Sequence, residues 1–159
     1  MTDAQFEEYA RRYSDMIFRV AVNILHQKED SEDALQNTLI RFYQNKHKLS
    51  EEEHIKAWLI RVACNESKRI LHKNARRDTV SLGDWALTLF SSDIENRELF
   101  IELMRLDEKY STALYLHYFE GYKAEEIARL TSSTPATVRT RLSRGRELLK
   151  NVLSEDDYE

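Results

Sequence analysis

The sequence predicts an all-α protein of two small helical domains joined by a flexible acidic linker. Three observations predict it. Apolar residues recur at spacings of three and four over long stretches, the period of an amphipathic helix. Three glycines and one proline in 159 residues leave little material for hairpins. Two basic stretches are separated by a segment with a surplus of acid over base, Asp78 to Asn96. Hydrophobic residues make up 42% and charged residues 33%, so the chain can both form a core and stay dissolved.

The first helix is expected from about Ala4 to Leu25, with Phe6, Tyr9, Tyr13, Ile17, Val20, Ala21 and Ile24 along one stripe. Asp30 is expected to cap the second, with Asp33 three residues on. That helix should turn Leu35, Leu39, Phe42 and Tyr43 inward and Glu32, Asp33, Gln36, Asn37 and Arg41 outward. By itself the outward face reads as solvated. After a polar loop, Asn45 to Leu49, Ser50 and Glu53 form a capping box that starts the third helix, which runs to about Asn74.

The third helix has two faces. Ile55, Leu59, Val62, Ala63, Glu66 and Ile70 lie on one, and Trp58, Arg61, Asn65, Lys68, Arg69 and His72 on the other. A ring that can stack, an amide that can read a base edge and cations that hold a backbone suit single-stranded bases. The pattern leaves open whether Trp58 is instead core. Cys64 reads as a structural thiol, and a single cysteine excludes an internal disulfide.

Asp78–Asn96 reads as the linker, with room for one short helical turn around Trp85 to Phe90. Arg97–Arg105 should be helical and open the second domain, and Asp107 should cap the next helix, which stops at Gly121. Ala124–Leu130, the turn Thr131–Ser133 and a second helix from Pro135 then read as a helix-turn-helix. Thr134 is a suitable N-cap, and Pro135 takes the first helical position, where its missing N–H is no loss. Val138, Leu142, Gly145, Leu149 and Val152 form the buried stripe. Ala136, Arg139, Thr140, Ser143 and Arg144 lie opposite, flanked by Arg141 and Arg146. The second helix of such a motif presents its early residues to base edges in the major groove.

The net charge of −4 on its face argues against nucleic acid, but its distribution reverses that inference. Lys56–Arg77 holds seven basic residues and one acid, and Pro135–Lys150 five and one. Acids collect at Glu29–Asp33, in the middle and in the tail from Glu155. Two basic patches on an acidic chain suggest two DNA contacts. No phosphate-cradling glycine loop, metal-ligand spacing or nucleophile grouping is evident, so neither an enzyme, a metal nor a cofactor is expected. No apolar run approaches a bilayer span, and a cytoplasmic protein without membrane insertion is expected.

DSEDALQNTLIRFYQ, IKAWLIRVACNESKRILHK, and LDEKYSTALYLHYFEGYKAEEIARL followed by TPATVRTRLSRGRELL occur in that order. Together they resemble the extracytoplasmic-function sigma factors, the small two-domain class of bacterial transcription initiation factor. The resemblance implies a polymerase-clamp docking role for Asp33 and Gln36. It implies minus-ten recognition and melting for Trp58, Arg61, Asn65, Lys68 and Arg69, with Asn65 lining a pocket for a flipped base. It implies minus-thirty-five recognition for Arg139, Thr140, Ser143 and Arg144. The implied domains are 1–77 (region 2), linker 78–96, 97–153 (region 4) and an acidic tail 154–159. The implied partners are core RNA polymerase, promoter DNA and an anti-sigma factor. The sequence departs from the family pattern at Lys123, at Ser132 and Ser133 in the turn, and at Asn37. The alternative is a stand-alone helix-turn-helix regulator whose N-terminal domain dimerises or binds a ligand.

Overall fold

Thr2 begins the first helix, α1 (Asp3–Leu25), through a reciprocal cap: its hydroxyl accepts the Gln5 N–H at 3.2 Å and its own N–H donates to Gln5 Oε1 at 2.9 Å. The computed structural model describes residues 1–74 and 94–157. Every element among them is helical, and the chain divides into two compact units, Met1–Val80 and Ser81–Glu159. The linker read at 78–96 lies almost wholly outside the described residues.

In the first unit α1 packs on α2 (Lys28–Asn45) and α3 (Glu52–Lys73), and these two pack on each other. His26 ends α1 in the left-handed conformation at φ 55°, its N–H returning to the Val22 carbonyl. The core joins Met16, Ile17, Val20, Ala21, Ile24 and Leu25 of α1 to Ile55, Leu59, Ile60, Ala63 and Cys64 of α3.

The second helix departs from expectation. Its buried residues are Ser31, Ala34, Thr38 and Phe42, three of them small. Small side chains let the backbones of neighbouring helices approach, so the buried stripe runs one position off the larger apolar residues. Leu35 and Leu39 are half-buried, and Tyr43 is half-exposed. The Tyr43 ring stands edge-on to Phe6, and the Lys46 ammonium sits 4.4 Å from its centroid.

Two expected caps also move. α2 starts three residues early, after Gln27, which gives no side-chain cap. Asp30 therefore sits in the first turn, where its charge suits the helix dipole, and it accepts from the Asn74 amide at the end of α3. α3 starts after Glu51 rather than Ser50, again without a side-chain cap. Its first turn is fixed by tertiary partners instead: Glu52 accepts from Arg12 and, at 3.1 Å, from Tyr13, both on α1.

The second unit comprises α4 (Ile94–Leu103), α5 (Glu108–Tyr118), α6 (Ala124–Thr131) and α7 (Pro135–Asp157). α4 opens three residues before the expected Arg97, and α7 runs into the segment read as a tail. Asp107 caps α5, accepting the Lys109 N–H at 3.3 Å. α5 is the central element: Ser111 through Leu116 are all buried, and both α6 and α7 pack on it. The chain leaves α5 through Gly121, at φ 77°, a conformation that costs glycine little. Val138, Leu142 and Gly145 of α7 are buried as the spacing predicts, and Leu149 is half-buried. Val152 lies beyond the described side chains.

Candidate nucleic-acid interface

The outer face of α3 is built from side chains one helical turn apart. Arg61, Asn65, Arg69 and His72 are exposed, and Lys68 is half-buried. Trp58 lies between core and surface. It is half-buried, with its ring tilted 44° to buried Phe42 at a centroid distance of 6.1 Å. One side of the indole rests on the core while the rest reaches the surface.

Glu66 falls on the apolar side of α3 and is 3% exposed. Burying a carboxylate is costly unless it is paired, and this one is paired twice. One oxygen accepts from Arg41 Nε of α2 and the other from Arg69 Nη2 of α3. Sequence reasoning placed Glu66 correctly but missed its partner Arg41, which it assigned to a solvated face. A buried acid on an apolar stripe signals that a cation must come from elsewhere. The sequence does not say from which helix.

Asp33 and Gln36 are exposed on α2. Asp33 lines an open cleft of about 490 Å³ with Asp30 and Asn37 of α2 and Arg69, Ile70, Lys73 and Asn74 at the end of α3. A residue read as polymerase-binding and one read as DNA-binding thus share one cleft.

In the second unit the turn between α6 and α7 is built without glycine. Ser132 takes the left-handed conformation at φ 56°, where a side chain costs roughly 1–2 kcal/mol. The Ser133 N–H compensates by returning to the Ala128 carbonyl at 2.8 Å. Thr134 caps α7, its hydroxyl accepting the Thr137 N–H at 3.2 Å. At the start of α6, Glu126 accepts the Lys123 N–H at 3.0 Å. A lysine ammonium has no lone pair to offer in return, so half of a capping box stands where a serine or threonine would complete it.

Ala136, Arg139, Thr140, Ser143 and Arg144 are all exposed on one side of α7. The flanking arginines are tied back to their own unit: Arg141 donates to Ser133 Oγ at 3.3 Å and Arg146 to the Tyr118 hydroxyl at 3.3 Å. On the outer face Arg139 donates to Glu125 of α6, and Arg144 meets Glu147 at 3.5 Å. The Glu125 carboxyl is held below the usual carboxylate range, chiefly by its own backbone N–H at the α6 N-terminus and then by Arg139. It is therefore ionised at neutral pH, and any further partner of Arg139 must share that guanidinium with it.

Among the described residues, no group of three His, Cys, Asp or Glu could hold a metal ion, and no helix is long and apolar enough to cross a membrane. The geometry offers two solvent-facing helical surfaces rich in arginine and lysine, one on each unit.

Comparison with known proteins agrees with this division. The family model described as Sigma-70 region 2 matches residues 9–77, and that for Sigma-70, region 4 matches residues 102–149. The chain belongs to the sigma-70 family, in its extracytoplasmic-function class. As a sigma factor it directs RNA polymerase to promoters. It is 28% identical to the ECF RNA polymerase sigma factor SigW of Bacillus subtilis, covering 94% of this chain and 89% of that one. It is also 28% identical to the RNA polymerase sigma-H factor of Pseudomonas aeruginosa, over 93% and 86%. A solved sigma factor, RpoE of Bartonella quintana in complex with the anti-sigma factor NepR, shares the fold. Its TM-score is 0.72 at 18% identity, over 94% of this sigma factor and 97% of that chain.

Proposed function

We propose that this sigma factor lends core RNA polymerase two promoter contacts, one from α3 and one from α7. Region 2 spans 1–77 and region 4 spans 97–153, with 78–96 as the tether between them and 154–159 as an acidic tail. Asp33 and Gln36 dock on the polymerase clamp. Trp58, Arg61, Asn65, Lys68 and Arg69 melt and read the minus-ten element, Asn65 lining the pocket for a flipped base. Arg139, Thr140, Ser143 and Arg144 read the minus-thirty-five element. The supporting observation is that Asn65 and Arg69 on one unit, and Arg139 and Arg144 on the other, face solvent on helices whose opposite sides form the two cores. Catalysis belongs to the polymerase, the protein works in the cytoplasm where promoter and polymerase are, and an anti-sigma factor holds it silent. The Bartonella neighbour, solved with such a partner, supports that last reading.

Transcription with purified core polymerase on a genomic fragment library would identify a responsive promoter and test the whole reading. On that promoter Arg144→Ala is expected to weaken discrimination at the minus-thirty-five element by about 1–3 kcal/mol, the worth of a bidentate base contact. An unchanged preference across minus-thirty-five variants would remove the assigned face. Asn65→Ala is expected to cut open-complex formation about tenfold while leaving closed-complex affinity nearly intact, because a base pocket matters only once a base has left the stack. Permanganate footprinting beside filter binding separates the two steps, and equal loss of both would count against the pocket.

A further inference from the structure

We propose that Arg41 and Arg69, drawn together by the buried Glu66 carboxylate, form a binding site for a phosphodiester group of the opened minus-ten strand, with Glu66 as its positioning residue. The proposal rests on the reading of α3 as the melting helix, but adds to it a residue of α2 that no part of that reading uses.

The observation is the junction itself. A carboxylate whose side chain is 4% exposed takes one guanidinium on each oxygen, while the two arginine side chains are 52% and 61% exposed. Two arginines from different helices would repel if merely brought close. One buried negative charge between them offsets half of their charge and fixes both orientations. A net charge of about +1 remains at the surface, carried on two planar forks with donors still turned to solvent. Such forks suit a phosphate, whose oxygens can accept from both at once.

Position supports the same ligand. Arg69 shares the outer face of α3 with Asn65, one turn away, and Arg41 follows Asn37 by one turn along α2, beyond the edge of the cleft that Arg69 lines. A strand whose base sits at Asn65 would carry its backbone towards this junction. A purely structural clasp would not need two half-exposed arginines, since a buried ion pair is often no better for stability than packed apolar groups of similar size.

The test uses the full chain assembled with core polymerase and a single-stranded oligonucleotide carrying the minus-ten element of a responsive promoter. Affinity is measured across a salt series. Arg41→Ala is expected to weaken binding several-fold and to flatten the salt dependence by about 0.7 in log–log slope, the share of one phosphate on a single strand. Arg41→Lys should keep the slope and recover part of the affinity. Glu66→Met should melt at the parent temperature or above, yet bind the strand more weakly despite its extra net positive charge. Unchanged binding by Arg41→Ala, or tighter binding by Glu66→Met, overturns the site. So does an effect of Arg41→Ala confined to core-polymerase affinity, which would place Arg41 on the docking surface. Asn65→Ala serves as the control: if it weakens binding while Arg41→Ala does not, the phosphate site fails and the melting helix stands. If neither weakens binding, the reading of α3 fails as well.

Discussion

Phe42→Ala is expected to destabilise the first unit by about 3–5 kcal/mol, the usual range for removing a buried phenyl ring. The size follows from how little else α2 contributes to the core. Its other buried residues are Ser31, Ala34 and Thr38, so Phe42 is the one large apolar side chain it buries fully. The ring meets Phe6 of α1 at 5.0 Å and Trp58 of α3 at 6.1 Å, and so touches both partner helices. A small domain has about 5–15 kcal/mol in total, and this loss would leave α2 marginally held. Function should fall with it, because Trp58 loses the surface that orients its indole. Denaturant unfolding of the full chain measures the energy, and hydrogen exchange locates it: protection should drop across residues 3–73. Phe42→Leu, which refills most of the volume, should retain most of the stability and of the promoter opening. If Phe42→Ala proved within about 1 kcal/mol of the parent, the aromatic junction would not be what holds α2.

Legibility in the sequence followed the range of the interaction that decided each feature. The helix-turn-helix was readable almost residue by residue. Thr134, Pro135 and the Val138, Leu142, Gly145 stripe act within one helix and its own turn, and periodicity reports such relations. The outward face of α7 followed from the same wheel. The failures came where a distant helix decided the outcome. Ser50 was a sound local cap, but Arg12 and Tyr13 anchor the turn after it. Leu35 and Leu39 looked like core, but close approach of α2 to its neighbours selects Ser31, Ala34 and Thr38. Arg41 is exposed as its place on the wheel implies, but nothing local announces that it also pairs with the Glu66 that α3 buries. The departures at the turn cost less than the sequence suggested. Ser132 adopts the left-handed conformation that glycine usually supplies, and Glu126 keeps its own half of the capping box by accepting the Lys123 N–H.

The two units keep their arginine-bearing faces outward by different means. On α3 the apolar side is interrupted by Glu66, and the ion pairs it makes join that side to the surface arginines. On α7 the buried side is uninterrupted, but it narrows to Gly145, and the position of the exposed face that carries Arg139 and Arg144 depends on how closely that glycine lets α7 approach α5.

Gly145→Leu is expected to destabilise the second unit by about 3 kcal/mol or more, the upper end of the cost of overpacking. A Cβ built at Gly145 would stand 2.9 Å from Leu114 Cδ1, 3.3 Å from Leu114 Cγ and 3.4 Å from Tyr110 Cβ. Leu114 is fully buried at the centre of α5 and has no solvent side to turn towards. Glycine within a helix costs about 1 kcal/mol relative to alanine, so a glycine here is consistent with a close helix–helix approach. Gly145→Ala should therefore change stability little: the gain in helix propensity and the strain on Leu114 are of similar size. Leucine adds three more carbons to a space that takes even one only by displacing Leu114, and relief requires α7 to back away from α5. That displacement would carry Arg139, Thr140, Ser143 and Arg144 with it. Initiation that depends on the minus-thirty-five element should then collapse, while association with core polymerase through α2 persists. Denaturant unfolding and transcription from promoters with and without a minus-thirty-five element would measure the two effects separately. A Gly145→Leu protein as stable as its parent would mean that α5 and α7 lie further apart than these distances state.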